Sequence, residues 1–143
     1  MKLFIASDHG GYELKEHLKG YLKSKNINII DLGTDNETSV NYPDYAKKLS
    51  NKVIEDETLG ILICGTGIGM SIAANKVDGI RAALVDSVTL AKLAKAHNNA
   101  NVLCMGGRIL GKTLAEEIVD AYLETKFEGG RHQNRLDIIK SLE

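Results

Sequence analysis

The stretch Ile61-Leu-Ile-Cys-Gly-Thr-Gly-Ile-Gly-Met70 passes from an apolar run into alternate glycines at positions 65, 67 and 69. Gly60 opens it, and Ser71-Ile-Ala-Ala-Asn-Lys76 beyond it reads as helix. Strand, tight loop and helix N-terminus, in that order, present backbone N–H groups to an anion. The glycines let the backbone approach a ligand closely and take positive φ. Cys64 stands at the mouth of the loop, where the positive end of a helix favours a thiolate. One reading is an anion cradle beside a base or nucleophile. The other is a plain turn with Cys64 as a small buried apolar residue. Familiar phosphate loops do not fit. A Walker loop needs a lysine that is missing here, and the G-x-G-x-x-G fingerprint needs glycine where Met70 stands. A Cys-x5-Arg phosphatase loop needs arginine at that same position.

Outward from this stretch, the same alternation recurs. Lys2 to Ala6 is an apolar run ended by Ser7-Asp-His-Gly-Gly11. Tyr12 to Lys25 carries Leu14, Leu18, Tyr21 and Leu22 on one face, the spacing of an amphipathic helix. Ile27 to Ile30 reads as strand, and Tyr42-Pro-Asp44 as a helix start with proline in its first turn. Asp78-Gly79 turns the chain into a strand over Ile80 to Val85, and Ser87 caps the helix after it. Val102 to Met105 is a fifth strand, followed by a loop over Gly106 to Gly111. Leu114, Ile118 and Tyr122 point inward from the next helix, and Leu136, Ile139 and Leu142 from the last one. Five alternations of strand and helix predict right-handed βαβ units and a parallel sheet covered on both faces.

Composition narrows the function. The 143 residues are 43% hydrophobic and 26% charged, with a net charge of −1. That is one globular α/β domain over residues 1–143, with no basic stripe for nucleic acid and no run long enough to cross a membrane. Met1-Lys2-Leu3 reads as the start of a strand, not of a signal peptide. Both cysteines lie inside apolar runs, which fits reduced thiols in a cytoplasm better than a disulfide. No His, Cys and Asp cluster has metal-ligand spacing, so neither metal nor cofactor is expected.

Ligands of such sheets bind beyond the carboxyl ends of the strands, where the strand order reverses. That rule gathers Asp8-His9, Cys64 to Gly69 and Gly106-Gly-Arg108 on one edge. Asp8 also suits a cap on the helix that follows. His17 reads as a solvated surface residue, and Cys104 as a buried structural thiol. His97-Asn98 ends a helix and so falls near the opposite edge, where a cation suits the helix dipole. Arg131 and Arg135, with His132 between them, lie on the first turn of the last helix. Cations there oppose the dipole and each other by about 0.3–1 kcal/mol apiece. A dianionic phosphate turns that repulsion into attraction; solvated arginines on a frayed helix are the competing reading.

Taken together these motifs resemble the ribose-5-phosphate isomerase B family, which includes galactose-6-phosphate isomerase subunits. The resemblance covers essentially the whole chain. It rests on Ser7 to Gly11, Tyr42 to Asp44, Cys64 to Gly69 running into Ile72 to Lys76, His97-Asn98 before Ala100 to Val102, and Arg108, Arg131 and Arg135. It implies a Rossmann-like three-layer sandwich with a five-stranded parallel sheet. It also implies a homodimer, often paired into tetramers, whose active sites draw on both subunits. The implied activity is interconversion of ribose 5-phosphate and ribulose 5-phosphate in the pentose phosphate pathway, without metal. A six-carbon galactose or allose 6-phosphate is the alternative substrate, and a non-catalytic phosphate-binding module the alternative class. Carried over by position, Cys64 is the base, Thr66 and the Gly65, Gly67, Ile68 and Gly69 backbone stabilise the enediolate, and His97 opens the sugar ring. Asp8, His9, Tyr42 and Asn98 bind the sugar, and Arg108, Arg131 and Arg135 the phosphate. A branch of the family has Glu at the position of Met70 and lacks the cysteine; Cys64 and Met70 place this chain with the cysteine branch.

Overall fold

The computed structural model describes residues 1–143. In chain order its elements are β1 (Lys2–Ser7), α1 (Tyr12–Ser24), β2 (Asn28–Asp31), α2 (Tyr42–Glu55), β3 (Leu59–Cys64) and α3 (Ile68–Ala74). They continue with β4 (Ala82–Leu84), α4 (Val88–Ala96), β5 (Val102–Gly106), α5 (Lys112–Glu124) and α6 (Arg131–Ser141). All five strands pair in parallel, in the order β2-β1-β3-β5-β4. The protein is an α/β sandwich, as its alternating pattern predicts.

The central strands are apolar without interruption because both of their faces are covered. In β3, Ile61 and Ile63 enter the core under α1, α4 and α5, while Leu62 and Cys64 enter the core under α2 and α3. β1 sends its chain into α1 on one face and β3 sends its chain into α3 on the other. The strand order therefore reverses between β1 and β3, and a crevice opens at their carboxyl ends. Ser87 Oγ accepts from the Leu90 N–H at 3.1 Å and caps α4, a contact worth about 1 kcal/mol.

Several expectations need correction. α3 begins at Ile68, inside the glycine loop, and not at Ser71. Gly67 makes this possible: at φ +82° it is the N-cap, and an added Cβ would meet the Met105 carbonyl carbon at 2.8 Å. β4 spans only Ala82–Leu84; Ile80 and Val85 fall outside it although both are buried, and Val85 N still donates to the Cys104 carbonyl at 3.1 Å. Leu114 is 36% exposed; α5 instead turns Ala115, Ile118, Val119 and Tyr122 inward. His17 is not a free surface residue, since its Nε2 lies 3.0 Å from Glu116 Oε1 and links α1 to α5. In α6 Leu136 is buried, but Ile139 is 47% and Leu142 79% exposed. That helix has little of its own protomer to pack against. No helix is long and apolar enough to cross a membrane.

Candidate active site

Three loops meet at the crevice because none of them carries a side chain where they touch. A Cβ on Gly107 would stand 2.7 Å from the Gly10 carbonyl oxygen, and one on Gly10 would stand 3.0 Å from the Gly65 nitrogen. Hydrogen bonds then fix the contact. Gly107 N donates to the Cys64 carbonyl at 2.8 Å, Arg108 N to the Gly65 carbonyl at 3.0 Å, and Asp8 N to the Ile63 carbonyl at 3.1 Å. The ends of β1, β3 and β5 become one rigid floor.

Cys64 is 5% exposed, and its Sγ accepts the Gly67 N–H at 3.1 Å. The positive end of that amide dipole points at the sulfur. Thr66 stands exposed above it, and its Oγ1 accepts from Ile68 N at 3.3 Å. Tyr42 lies across Gly69, where a Cβ would come within 2.5 Å of the phenol Cζ. Cys104, by contrast, is fully buried in β5; burial, with Cys64 beside it, pushes its thiol well above the usual range.

Asp8 braces the turn ahead of α1 and does not cap the helix, whose N-cap, Gly11, has no side-chain partner. Its Oδ1 accepts from Gly10 N at 2.9 Å and from Gly11 N at 3.1 Å, bracing the turn, while Oδ2 has no protein donor. His9 Nδ1 accepts from Val40 N at 3.2 Å, which leaves the ring proton on Nε2 in the neutral form. The Arg108 guanidinium lies over Gly65, with Nη1 3.1 Å from where a Cβ would be. Asp8, His9, Tyr42, Cys64 to Gly69 and Arg108 thus share one edge.

His97, Asn98, Arg131 and Arg135 do not join them. His97 caps the C-terminus of α4, just ahead of β5, and so stands toward the amino ends of the strands. Its ring stacks on His132, with centroids 4.3 Å apart and planes inclined by 11°. Glu128 Oε1 lies 3.8 Å from His97 Nε2 and 3.4 Å from His132 Nε2. Glu128 and the buried His132 are what the sequence reading missed. The only local signal was a histidine held between two arginines. The three donor atoms fall within 4.8 Å of one another. Near-parallel rings, however, cannot both aim their in-plane lone pairs at one ion, so the set suits a shared charge contact better than tetrahedral chelation. Arg131 and Arg135 are exposed, and the first turn of α6 contains no acidic residue.

Around Thr66 the surface is apolar. Ile68, Ile72, Leu84, Leu90 and Ile109 are 52%, 60%, 41%, 46% and 62% exposed. A cavity of about 400 Å³ is lined by Thr66 and four of these residues, Ile68, Leu84, Leu90 and Ile109.

A crevice at the strand-order reversal, holding a cysteine in a glycine loop with a carboxylate and an arginine on its rim, marks an α/β enzyme acting on a small anionic substrate. The chain belongs to the ribose/galactose isomerase family, whose model matches residues 3–139, and is a sugar phosphate isomerase of that family. Ribose-5-phosphate isomerase B of Escherichia coli (strain K12) is 43% identical over 143 residues, covering 99% of this chain and 96% of that protein. The structure of ribose-5-phosphate isomerase B from Clostridium thermocellum superposes with a TM-score of 0.98 at 47% identity, covering 99% of this chain and 97% of that one. The enzyme from Mycoplasma genitalium, solved with bound ribulose-5-phosphate, gives a TM-score of 0.94 at 47% identity, with 99% and 95% covered.

Proposed function

We propose that the protein interconverts ribose 5-phosphate and ribulose 5-phosphate through an enediolate, with Cys64 as the base. The observation that carries this reading is the Cys64 sulfur itself, buried at the floor of the crevice under the Gly67 N–H and beside the exposed Thr66. In the open-chain aldose, Cys64 takes the proton from C2 and returns it to C1. A second proton moves from the C2 oxygen to the C1 oxygen, and no electrons leave the molecule. The Thr66 hydroxyl and the loop N–H groups of Gly65 to Gly69, Ile68 included, hold the oxygen on which charge develops. Asp8, with its free Oδ2, carries the proton between the oxygens, and His9 and Tyr42 hold hydroxyls.

Ribose 5-phosphate is a closed furanose for most of its time in solution, so the ring must open first. His97 is suited to that step, but it stands at the wrong edge of its own protomer. The reading therefore includes a homodimer in which His97 and Asn98 of the partner subunit reach the crevice. Arg131 and Arg135 then join Arg108 at the phosphate. Two features support this arrangement. An apolar rim surrounds Thr66, and α6 leaves Ile138 and Ile139 uncovered.

The test is direct. The purified protein is incubated with ribose 5-phosphate, galactose 6-phosphate and allose 6-phosphate in parallel, and ketose is followed. The proposal expects the highest kcat/KM with ribose 5-phosphate. A higher value with either six-carbon sugar, or no ketose from any of them, would sink it.

A further inference from the structure

His132 is one of only two buried residues in α6, and its ring lies flat on that of His97. The stack is tied down from both sides. Glu128 N donates at 3.0 Å to the carbonyl of Ala96, the residue before His97, and His132 N donates at 3.1 Å to the Gly129 carbonyl. The same segment places the Glu128 carboxylate 3.8 Å and 3.4 Å from the two Nε2 atoms. His97 itself is 40% exposed at a helix end, and its ring makes no other contact of this kind within the protomer. An unsupported imidazole there would sample several rotamers, and a misplaced catalytic group loses up to about 10²-fold in rate.

We infer that His132 is a positioning residue for His97 in sugar-ring opening, and that Glu128 supplies the negative charge beside the pair. The inference rests on the ring-opening role proposed above. In that step the C1–O4 bond breaks, O4 takes a proton from His97, and the C1 hydroxyl releases one to solvent, leaving an aldehyde. His97 must present its proton along one direction. A flat neighbour fixes the plane of its ring, and the Glu128 carboxylate lies 3.8 Å from its Nε2. His132 touches no reacting atom; it acts only through His97.

The experiment compares the parent protein with His132→Ala and His132→Phe on two substrates. One is ribose 5-phosphate; the other is its 4-deoxy analogue, which lacks the hydroxyl that closes the furanose. His132→Ala should lower kcat/KM for ribose 5-phosphate about tenfold or more, and that for the analogue by less than about twofold, because only the first needs an aligned His97. His132→Phe keeps a flat ring and should restore the ribose 5-phosphate value to within about threefold of the parent. A second readout needs no analogue. At rising enzyme concentration, ribose 5-phosphate consumption by the Ala variant should level off at the spontaneous ring-opening rate, while the parent continues to rise. Melting curves and the Phe variant separate this from misfolding. Equal losses on both substrates, no plateau, or a Phe variant no better than Ala would overturn the inference. A parent inactive on both sugars would overturn the isomerase reading first, and this inference with it.

Discussion

The two edges of the sheet hold the candidate residues in opposite ways. At the carboxyl edge Asp8, Cys64 and Arg108 sit on loops locked together by glycine contacts and backbone hydrogen bonds. At the other edge His97, Arg131 and Arg135 stand on helix ends with exposed surface around them. The first group is organised by its own protomer. In the second, His97 is held by the His132 stack beside Glu128, while Arg131 and Arg135 stand exposed, and none of the three reaches the crevice of its own protomer. A fold that fixes an exposed group without giving it a target is built to serve another molecule. In the homodimer proposed above, the apolar rim around Thr66 would be the surface that meets the second copy.

The strongest way to break this comparison is at Cys64. Cys64→Ala should lower turnover about 10²–10⁴-fold, the contribution of a positioned general base, with the melting temperature nearly unchanged. Cys104→Ala, two residues down the neighbouring strand from the same loop, should do the reverse. It should cost about 1 kcal/mol of stability for a small core deletion and little rate. Parallel kcat and melting measurements decide it, and near-normal turnover in the Cys64 variant would remove the thiolate from the mechanism.

Mixing subunits tests the other half. Cys64→Ala and His97→Ala should each be nearly inactive alone. If each site takes one residue from each subunit, random exchange should restore about a quarter of parental activity, since half the dimers are mixed and each of those has one intact site. Co-refolded or exchanged mixtures are assayed against the separate variants. Mixtures that stay inactive would place both residues in one protomer's site and dissolve the contrast between the edges.

The sequence was most legible where burial is symmetrical. Runs such as Ile61 to Ile63 have to be central strands, and the glycines of 65–69 have to be a close-approach loop, so the carboxyl edge could be placed by rule. It was less legible where contacts are distant in sequence. Nothing near His17 announces Glu116, ninety-nine residues away. Nothing near His97 announces Glu128 or His132, whose ring meets it only after α5 and two left-handed glycines, Gly129 and Gly130, bring the chain back. The helix-like spacing of Leu136, Ile139 and Leu142 implied a buried face that the protomer supplies only at Leu136. That error is itself informative, because an apolar stripe with no cover at home is expected of a residue set that meets a partner.

The arginines sharpen the comparison with a smaller effect. Replacing Arg131 or Arg135 with Ala should raise KM for the sugar phosphate about 10- to 100-fold, the loss of a charge-assisted contact of about 1.5–3 kcal/mol. Lysine should recover only part of it, because a point charge cannot reproduce a bidentate guanidinium. Added phosphate should raise the melting temperature of the parent more than that of the double Ala variant. A double variant with unchanged KM would mean that Arg108 and the glycine loop hold the phosphate alone.

The smallest effect on turnover is expected from the charge network that braces the carboxyl edge from behind. The Lys15 ammonium is fully buried and lies 2.6 Å from Asp31 Oδ2, while Lys19 reaches the same oxygen at 2.7 Å. Asp31 Oδ1 accepts the Gly33 N–H at 2.8 Å, and Gly33 in turn accepts from Ser7 N at the end of β1. Burial alone would push the Asp31 carboxyl up, but Lys15, Lys19 and the Gly33 N–H outweigh it and hold it below its ordinary value. Burial likewise opposes the charge on Lys19, yet Asp31 and Glu16 raise its pKa to about 12. A depressed carboxylate adds stability that is present above its unfolded pKa of about 4 and fades as pH falls through the folded value. A raised amine adds stability that is full below about 10.5 and is lost as pH rises through about 12. Asp31→Asn keeps the Gly33 acceptor but leaves Lys15 short of a partner, at about 3 kcal/mol. The melting difference between parent and variant should therefore be widest between about pH 5 and 10 and narrow as pH falls below about 4 through the folded value of Asp31, with kcat unchanged throughout. If that difference did not narrow in acid, the network's charge would not be the source of the stability. If kcat fell along with the melting temperature, the carboxyl edge would depend on its charges as well as on the glycine contacts that join its loops.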